Sequence, residues 1–389
     1  MSITHEALEG WVRANLATIT EEIATIVGHE SPSHDAQSLQ SLAIKLDQRY
    51  RDADGSVRSL GTHLHITFGL GDEWLSQAKP ALILGHFDTV WPIGALERMP
   101  VSIAANRMSG PGIFDMKTSL VMIPWALAAV KAKGLALTRR VEVLLTSDEE
   151  IGSPSSRDLI ENLARESAYV LVLEPPLADG RLKTQRKGVG QFRVEITGQS
   201  AHAGIEPERG VSAIIELAEQ VLQIQKMARP ELGTTLNVGL IEGGTAPNVV
   251  AAHAWAVIDV RVSCSAEASR IEQEFCTLSS ITPGTSLTVT GGFRRPPMER
   301  TPQSISLFRQ ARRIGAKLGL DLQEGATGGA SDGNFTSALG VPTLDGLGCP
   351  GAGAHAPHEH IDLRELPSRI ALLAALILEL NPLETMPDE

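Results

Sequence analysis

The feature that most constrains this chain is a succession of short apolar runs alternating with helical patterns. LHITFG (64–69), ALILGHFD (81–88), RRVEVLLTSDEE (139–150) and YVLVLEPP (169–176) read as strands, whereas SLVMIPWALAAVKAKG (119–134) and SRDLIENLARE (156–166) carry helical spacing. Strands that alternate with helices predict a largely parallel sheet with helices packed on its faces. From residue 185 to about 297 the pattern changes. QFRVEITG, GVSAIIELAEQVLQIQKMA, TTLNVGLIEGG, AWAVIDVRVS, EASRIEQEFCTLSSI and SLTVTGGF give strand, helix, strand, strand, helix, strand. That βαββαβ order is the ferredoxin-like split unit. SISLFRQARRIGAKLGL then resumes the helical pattern, VPTLDGLG is a further strand and LPSRIALLAALILEL closes as an apolar helix. The expected architecture is an α/β domain of residues 1–184 and 298–389, with a smaller domain of residues 185–297 inserted into it. A length of 389 residues agrees with two domains.

Charge limits the partners. A formal net charge of -12, without any Lys/Arg-rich run, argues against nucleic acid. The first 35 residues show neither a basic leader followed by an apolar core nor a stretch long enough to cross a bilayer. A soluble cytoplasmic protein with no membrane partner is the expectation. Three cysteines, Cys264, Cys276 and Cys349, are too few and odd in number for a disulfide framework.

The polar residues that follow the apolar strands carry the chemistry. His86 and Asp88 end one strand, Asp148, Glu149 and Glu150 another, and Glu174 a third. Ligands of open α/β sheets bind outside the carboxyl ends of the strands, so these side chains should converge on one crevice. Asp115 in the glycine-rich SGPGIFDMK and His355 in GAGAHAPHEH can reach the same rim. Any one strand-end carboxylate is more simply a turn or helix cap. Two histidines and three carboxylates at equivalent sheet ends are harder to assign to chance. Asp115, Glu150 and Glu174 together carry about three negative charges, which two divalent cations and a hydroxide would balance. Imidazole with carboxylate oxygen suits zinc, with cobalt or manganese as substitutes. Of the neighbours Glu149 and Glu150, which alternate in direction on a strand, one can hold metal while the other serves as general base. Asp88 lies on the same side of its strand as His86 and is expected to fix the imidazole's tautomer.

These residues resemble the dinuclear zinc peptidases and deacylases that include glutamate carboxypeptidase, aminoacylase, acetylornithine deacetylase and succinyl-diaminopimelate desuccinylase. The likeness runs through GHFDTVWP, GPGIFDMK, TSDEEIGS, LVLEPP, GQSAHAG, GGTAPNVV, DVRV, GGASDGN and GAHAPHEHI. The glutamate carboxypeptidase branch is nearest, partly because Glu174 stands where many relatives carry aspartate. The resemblance implies that Asp115 bridges two Zn2+, that His355 and Glu150 complete one site, and that His86 and Glu174 complete the other. It also implies Glu149 as general base, Asp88 as partner of the histidine, and a cis bond between Asp115 and Met116. The βαββαβ insert matches the family's lid, which implies a homodimer through that domain. His202 would reach the neighbouring subunit's site and polarise the scissile carbonyl, while Asn248, Arg261 and the backbone at Gly329 would contact the substrate and its carboxylate.

The implied reaction is metal-dependent hydrolysis of an amide in a small N-acyl amino acid or peptide with a free carboxylate. Release of a C-terminal amino acid is the first reading, and N-acyl-amino-acid deacylation is the alternative. A dinuclear phosphoesterase would need more basic residues than Arg261 supplies. A catalytically inactive peptide binder would have no use for Glu149. GLGCPG (346–351) has the spacing of a dinucleotide loop but is followed by Pro357 and histidines, not by a helix. Cys349 is expected to be buried, His358 and His360 to be loop residues, and Arg294 with Arg295 to form a solvated turn.

Overall fold

The computed structural model describes residues 5–70, 75 and 78–381. Contacts divide the chain into two compact units: Met1–Thr184 with Arg300–Thr327 and Ser331–Glu389, and Gln185–Glu299 with Gly328–Ala330.

The larger unit is organised by an eight-stranded sheet. At its centre Val141–Thr146, Ala81–His86, Tyr169–Val172 and Thr343–Asp345 lie side by side in parallel. Every residue of these four strands is buried, as strands covered on both faces must be. Alternation assigns the side chains to two cores. Ala81, Ile83, Val141, Val143, Leu145 and Leu171 face a cluster that contains Leu120, Ile123, Leu127, Ile370 and Leu373. Leu82, Leu84, Leu144, Val170 and Val172 face a smaller cluster with Ile160, Ala164 and Phe335. Each Val, Leu, Ile or Phe side chain among them, fully withdrawn from water, contributes about 1.5–3 kcal/mol against the entropy of ordering the chain. The sheet is completed by the antiparallel strands His63–Phe68 and Ser56–Leu60 on one edge and by antiparallel Leu182–Arg186 followed by Glu324–Thr327 on the other.

The helices follow from apolar spacing and caps. Asp35 caps Ala36–Asp52 by accepting from the Ser38 amide at 2.7 Å, and Thr301 with Ser304 forms a capping box on Pro302–Ala316. The segment Ile113–Ala132 has the length and apolar composition of a membrane span, yet 83% of it is buried inside the protein. Its regular part, Thr118–Ala132, is a core helix packed against Leu366–Glu379. A small sheet of Gly351–Ala352, His360–Asp362, Arg107–Ser109 and Ser102–Ala104 brings the loops bearing Asp115 and His355 together.

The smaller unit runs strand Gly188–Thr197, helix Ala213–Gln225, strands Thr235–Gly243 and His253–Val262, helix Ser265–Cys276 and strand Ser286–Arg295. All its strands pair antiparallel. Residues 254, 256, 258, 260 and 262 are buried while their neighbours are not, which leaves one sheet face covered by helices and one open. The covered face packs Val194, Ile196 and Ile258 against Leu217, Ile224 and Ile271, with Phe192 stacked on Phe275 at 4.0 Å.

Candidate metal centre

Five of the predicted ligands meet within the larger unit. His86, the last residue of Ala81–His86, places Nε2 3.2 Å from Asp115 Oδ1 and 3.3 Å from Glu174 Oε1. His355 places its Nε2 3.5 Å from Asp115 Oδ2 and 3.3 Å from Glu150 Oε2. The two oxygens of Asp115 therefore face two different imidazoles, each with its own second carboxylate. The Asp115–Met116 peptide bond is cis, and His355 has a left-handed φ of 62°.

Ligand atoms of His86, Asp115 and Glu150 lie within 4.8 Å of one another, as do those of His86, Glu149 and Glu174. Glu150 Oε1 is buried without a hydrogen-bond partner. An orphaned carboxylate oxygen among four acidic side chains is costly unless a cation compensates it. The donor set, two imidazoles and several carboxylates around one shared aspartate, fits a pair of divalent cations.

The electrostatics of the site follow from the same contacts. Burial opposes ionisation of Asp115, but the hydrogen bonds from His355 and His86 outweigh it and hold its carboxyl below the usual range. The carboxylates of Asp115 and Glu150 pull His355 up to about 10. Burial works against protonation of His86, yet Asp115, Asp88 and Glu174 raise it well above an ordinary histidine. Burial, aided by the Asp115 charge, raises Glu150.

Asp88 has more partners than the imidazole alone. His86 Nδ1 is 3.0 Å from the main-chain carbonyl of Asp88 and 3.4 Å from its carboxylate, so the carbonyl is the nearer acceptor. The carboxylate, fully buried, also accepts from the Glu149 amide at 3.2 Å, the Glu150 amide at 3.2 Å and Ser33 Oγ at 2.7 Å. It organises the turn that bears both glutamates. That turn departs from the expectation. The strand stops at Thr146 and Glu149–Ile151 is a 3-10 turn, so strand alternation is not what separates the two glutamates. Asp148 is a cap, accepting from the amides and hydroxyls of Ser155 and Ser156 at 2.6–3.2 Å.

The remaining predicted residues belong to the smaller unit. The His202 and Val249 backbones form a bridge, and the Ala203 amide donates to the Asn248 carbonyl at 2.9 Å, so His202 and Asn248 sit on adjoining loops. His202 Nδ1 accepts from the Gly204 amide at 3.1 Å, which assigns the proton to Nε2 of an exposed ring. Arg261 is held by Asp259 through two hydrogen bonds, 2.8 and 3.0 Å, and its Nη1 lies 3.5 Å from the Gly328 carbonyl. A side chain at Gly329 would meet nothing within 4 Å.

Two residues escaped the sequence reading. Glu359 is fully buried and accepts four hydrogen bonds around the Asp115 loop; nothing in HAPHEH distinguishes it from a solvated loop acid. Lys117 is buried, is lowered to about 7 by that burial, and donates to the His29 carbonyl. Cys349 is buried and its thiol is pushed up. His358 is exposed and His360 half-buried, and neither belongs to the ligand clusters. Arg295, expected in a solvated turn, ends the strand Ser286–Arg295 and is buried.

Comparison with known proteins adds to this geometry. Residues 82–379 match Peptidase family M20/M25/M40. The chain is 31% identical over 316 residues to carboxypeptidase G2 of Pseudomonas sp. (strain RS-16), covering 78% of this chain and 74% of that protein. It is 27% identical over 308 residues to succinyl-diaminopimelate desuccinylase of Delftia acidovorans (strain DSM 14801 / SPH-1), covering 74% and 78% respectively. Its fold is similar to that of the Bacillus subtilis YXEP protein, a dinuclear metal binding peptidase, with a TM-score of 0.67 at 14% identity over 94% of this chain and 98% of that one.

Proposed function

Because this chain belongs to peptidase family M20/M25/M40, we propose that it is a carboxypeptidase that hydrolyses the last amide bond of a small substrate bearing a free carboxylate. The observation that carries the reading is the shared aspartate, with the two oxygens of Asp115 facing His86 and His355. His86, Asp115 and Glu174 would hold one cation and His355, Asp115 and Glu150 the other, zinc by donor chemistry and cobalt or manganese by substitution. When bound, the cations supply Lewis acidity toward the carbonyl oxygen and lower the pKa of attacking water.

Glu149 acts as the base. Its carboxylate takes a proton from water as the water oxygen bonds to the carbonyl carbon, then passes that proton to the amide nitrogen as the C–N bond breaks. Asp88 keeps Glu149 in place through the amide it accepts. His202, carrying its proton on Nε2, is suited to donate to the developing oxyanion in the partner subunit's site. Asn248, Arg261 and the amides at Gly329 would read the substrate's free carboxylate; an arginine fork suits that anion. Arg261 must then share its guanidinium with Asp259.

A homodimer through the smaller unit is part of the proposal. Ile215 and Leu222 on helix Ala213–Gln225, with Leu240 and Ile241 on the edge strand Thr235–Gly243, are exposed by 59–63%. Exposed apolar residues beside an unpaired strand edge suit a second copy of the same surface.

The test is a panel of peptides ending in glutamate or other amino acids, acyl-amino acids and phosphoesters, with and without chelator. Release of a C-terminal amino acid that stops on chelation and returns with Zn2+ or Co2+ supports the reading. Turnover of acyl-amino acids alone moves it to the deacylase alternative, and activity indifferent to chelation defeats it. Glu149→Gln should keep two metals per chain and lose about 10²–10⁴-fold in kcat; turnover at the parent rate removes Glu149 as base.

A further inference from the structure

We propose that Glu359 is a positioning residue that locks the shared metal ligand to the turn carrying His355. The inference rests on the reading of Asp115 as a ligand common to two cations. Glu359 is 0% exposed. Its Oε1 accepts from the amides of Phe114 at 2.9 Å and Asp115 at 3.0 Å, and its Oε2 from the amide of Gly112 at 2.9 Å and the indole of Trp91 at 2.8 Å. A carboxylate has about four acceptor sites, and here each oxygen has two donors. Glu359 therefore has no lone pair left for a cation, and its effect passes through the loop.

The loop needs such an anchor. Gly112 has a left-handed φ of 72°, and Asp115 and Met116 have non-helical backbone angles between that glycine and the helix that starts at Thr118. The amides of residues 112, 114 and 115 point inward and would be unpaired without a buried acceptor. The main-chain carbonyl of Glu359 adds a further bond, from the Gly110 amide at 3.4 Å.

The other end of the link is His355. Bonds from the Ala356 amide to the Gly353 carbonyl at 2.8 Å and from the Glu359 amide to the Ala356 carbonyl at 2.9 Å close residues 353–359 into consecutive turns. One short segment thus carries the imidazole that faces Asp115 Oδ2 and the carboxylate that holds the Asp115 backbone. The 3.5 Å between His355 Nε2 and Asp115 Oδ2 is set through Glu359.

Glutamine has the same shape but one acceptor oxygen and two N–H donors, so Glu359→Gln confronts inward amides with another donor. Co2+ titrated into metal-free protein, followed by visible absorption and by competition with a chelator, reads the consequence directly. The expected result is two Co2+ per parent chain, and in the variant a 10–100-fold loss of affinity at one site with an altered absorption band. The kcat of the Zn2+-loaded variant should fall while KM stays within about twofold. Two Co2+ bound by the variant with parental affinity and spectrum overturn the proposal while leaving the dinuclear reading intact. A parent that fails to bind two Co2+ overturns that reading and this inference with it. If the glutamine variant does not fold, Trp91→Phe removes one of the four donors, and Co2+ affinity and spectrum identical to the parent's then refute the role.

Discussion

Asp88→Asn separates two accounts of one carboxylate. If Asp88 works by orienting the imidazole, its amide variant should disturb the metal; if it works by holding the Glu149–Glu150 turn, the variant should disturb the base. The geometry favours the turn, with carboxylate bonds to both glutamate amides, while the main-chain carbonyl, which the substitution retains, is the nearer partner of His86 Nδ1. Asparagine keeps one acceptor oxygen. Its NH2 group meets either Ser33 Oγ with one glutamate amide or the other glutamate amide, all of which now donate to the carboxylate. Losing one bond to a charged acceptor, about 1.5–3 kcal/mol, and leaving one buried N–H unpaired, about 1–3 kcal/mol, gives roughly 2.5–6 kcal/mol of strain for the turn to relieve by moving. A displacement of about 1 Å in a catalytic group costs on the order of 10²-fold. Metal content by atomic emission and kcat per bound metal are the measurements. We expect metal content near the parent's and kcat lower by about two orders of magnitude. A variant that loses metal, but turns over normally per metal bound, refutes the reasoning and restores the imidazole as the target of Asp88.

The metal-free protein should respond to pH through His355. Its folded pKa of about 10 exceeds the ordinary value of 6.5, so its stabilising effect is complete below pH 6.5 and disappears as pH rises toward 10. Thermal melts of metal-free protein should therefore fall across that window, and Zn2+ affinity should rise as the proton is lost; a flat melting profile contradicts the protonated ring. At the proposed dimer surface, Leu222→Asp combined with Ile241→Asp should convert a sedimenting dimer to monomer with little change in melting temperature. A double variant that stays dimeric, or a parent that is already monomeric, rules that surface out.

Much of the fold is legible because two periodicities do not overlap. In VEVLLT, LILG and YVLV the apolar residues are continuous, as they must be when both faces of a strand are covered, whereas AWAVIDVRV alternates because one face is open. The antiparallel edges and the small sheet were less legible. Ser102–Ala104 and Arg107–Ser109 are three residues each, and Gly351–Ala352 is two; pairs so short have no period, and only the packing of the loops they join makes them strands.

The site shows the same division at finer grain. The proposed ligands could be read because each is a charged or imidazole side chain following an apolar strand or a glycine-rich loop, where folding alone has no need for it. What holds the ligands could not, because a carboxylate that accepts backbone amides leaves no mark on the sequence. Asp148, Glu149 and Glu150 are three consecutive acids with different surroundings: the first caps serines 155 and 156, the second lies with His86 and Glu174, and the third faces His355 with one oxygen orphaned. Composition cannot distinguish them. Their fates are set by the 3-10 turn, and that turn is set by Asp88, some sixty residues earlier. The Asp115 loop depends in the same way on Glu359, more than two hundred residues later. Loops that must hold several negative charges close together cannot rely on local propensity, so their backbone donors are taken up by buried carboxylates from distant segments. Under the proposed function, those contacts are what would let two cations share Asp115.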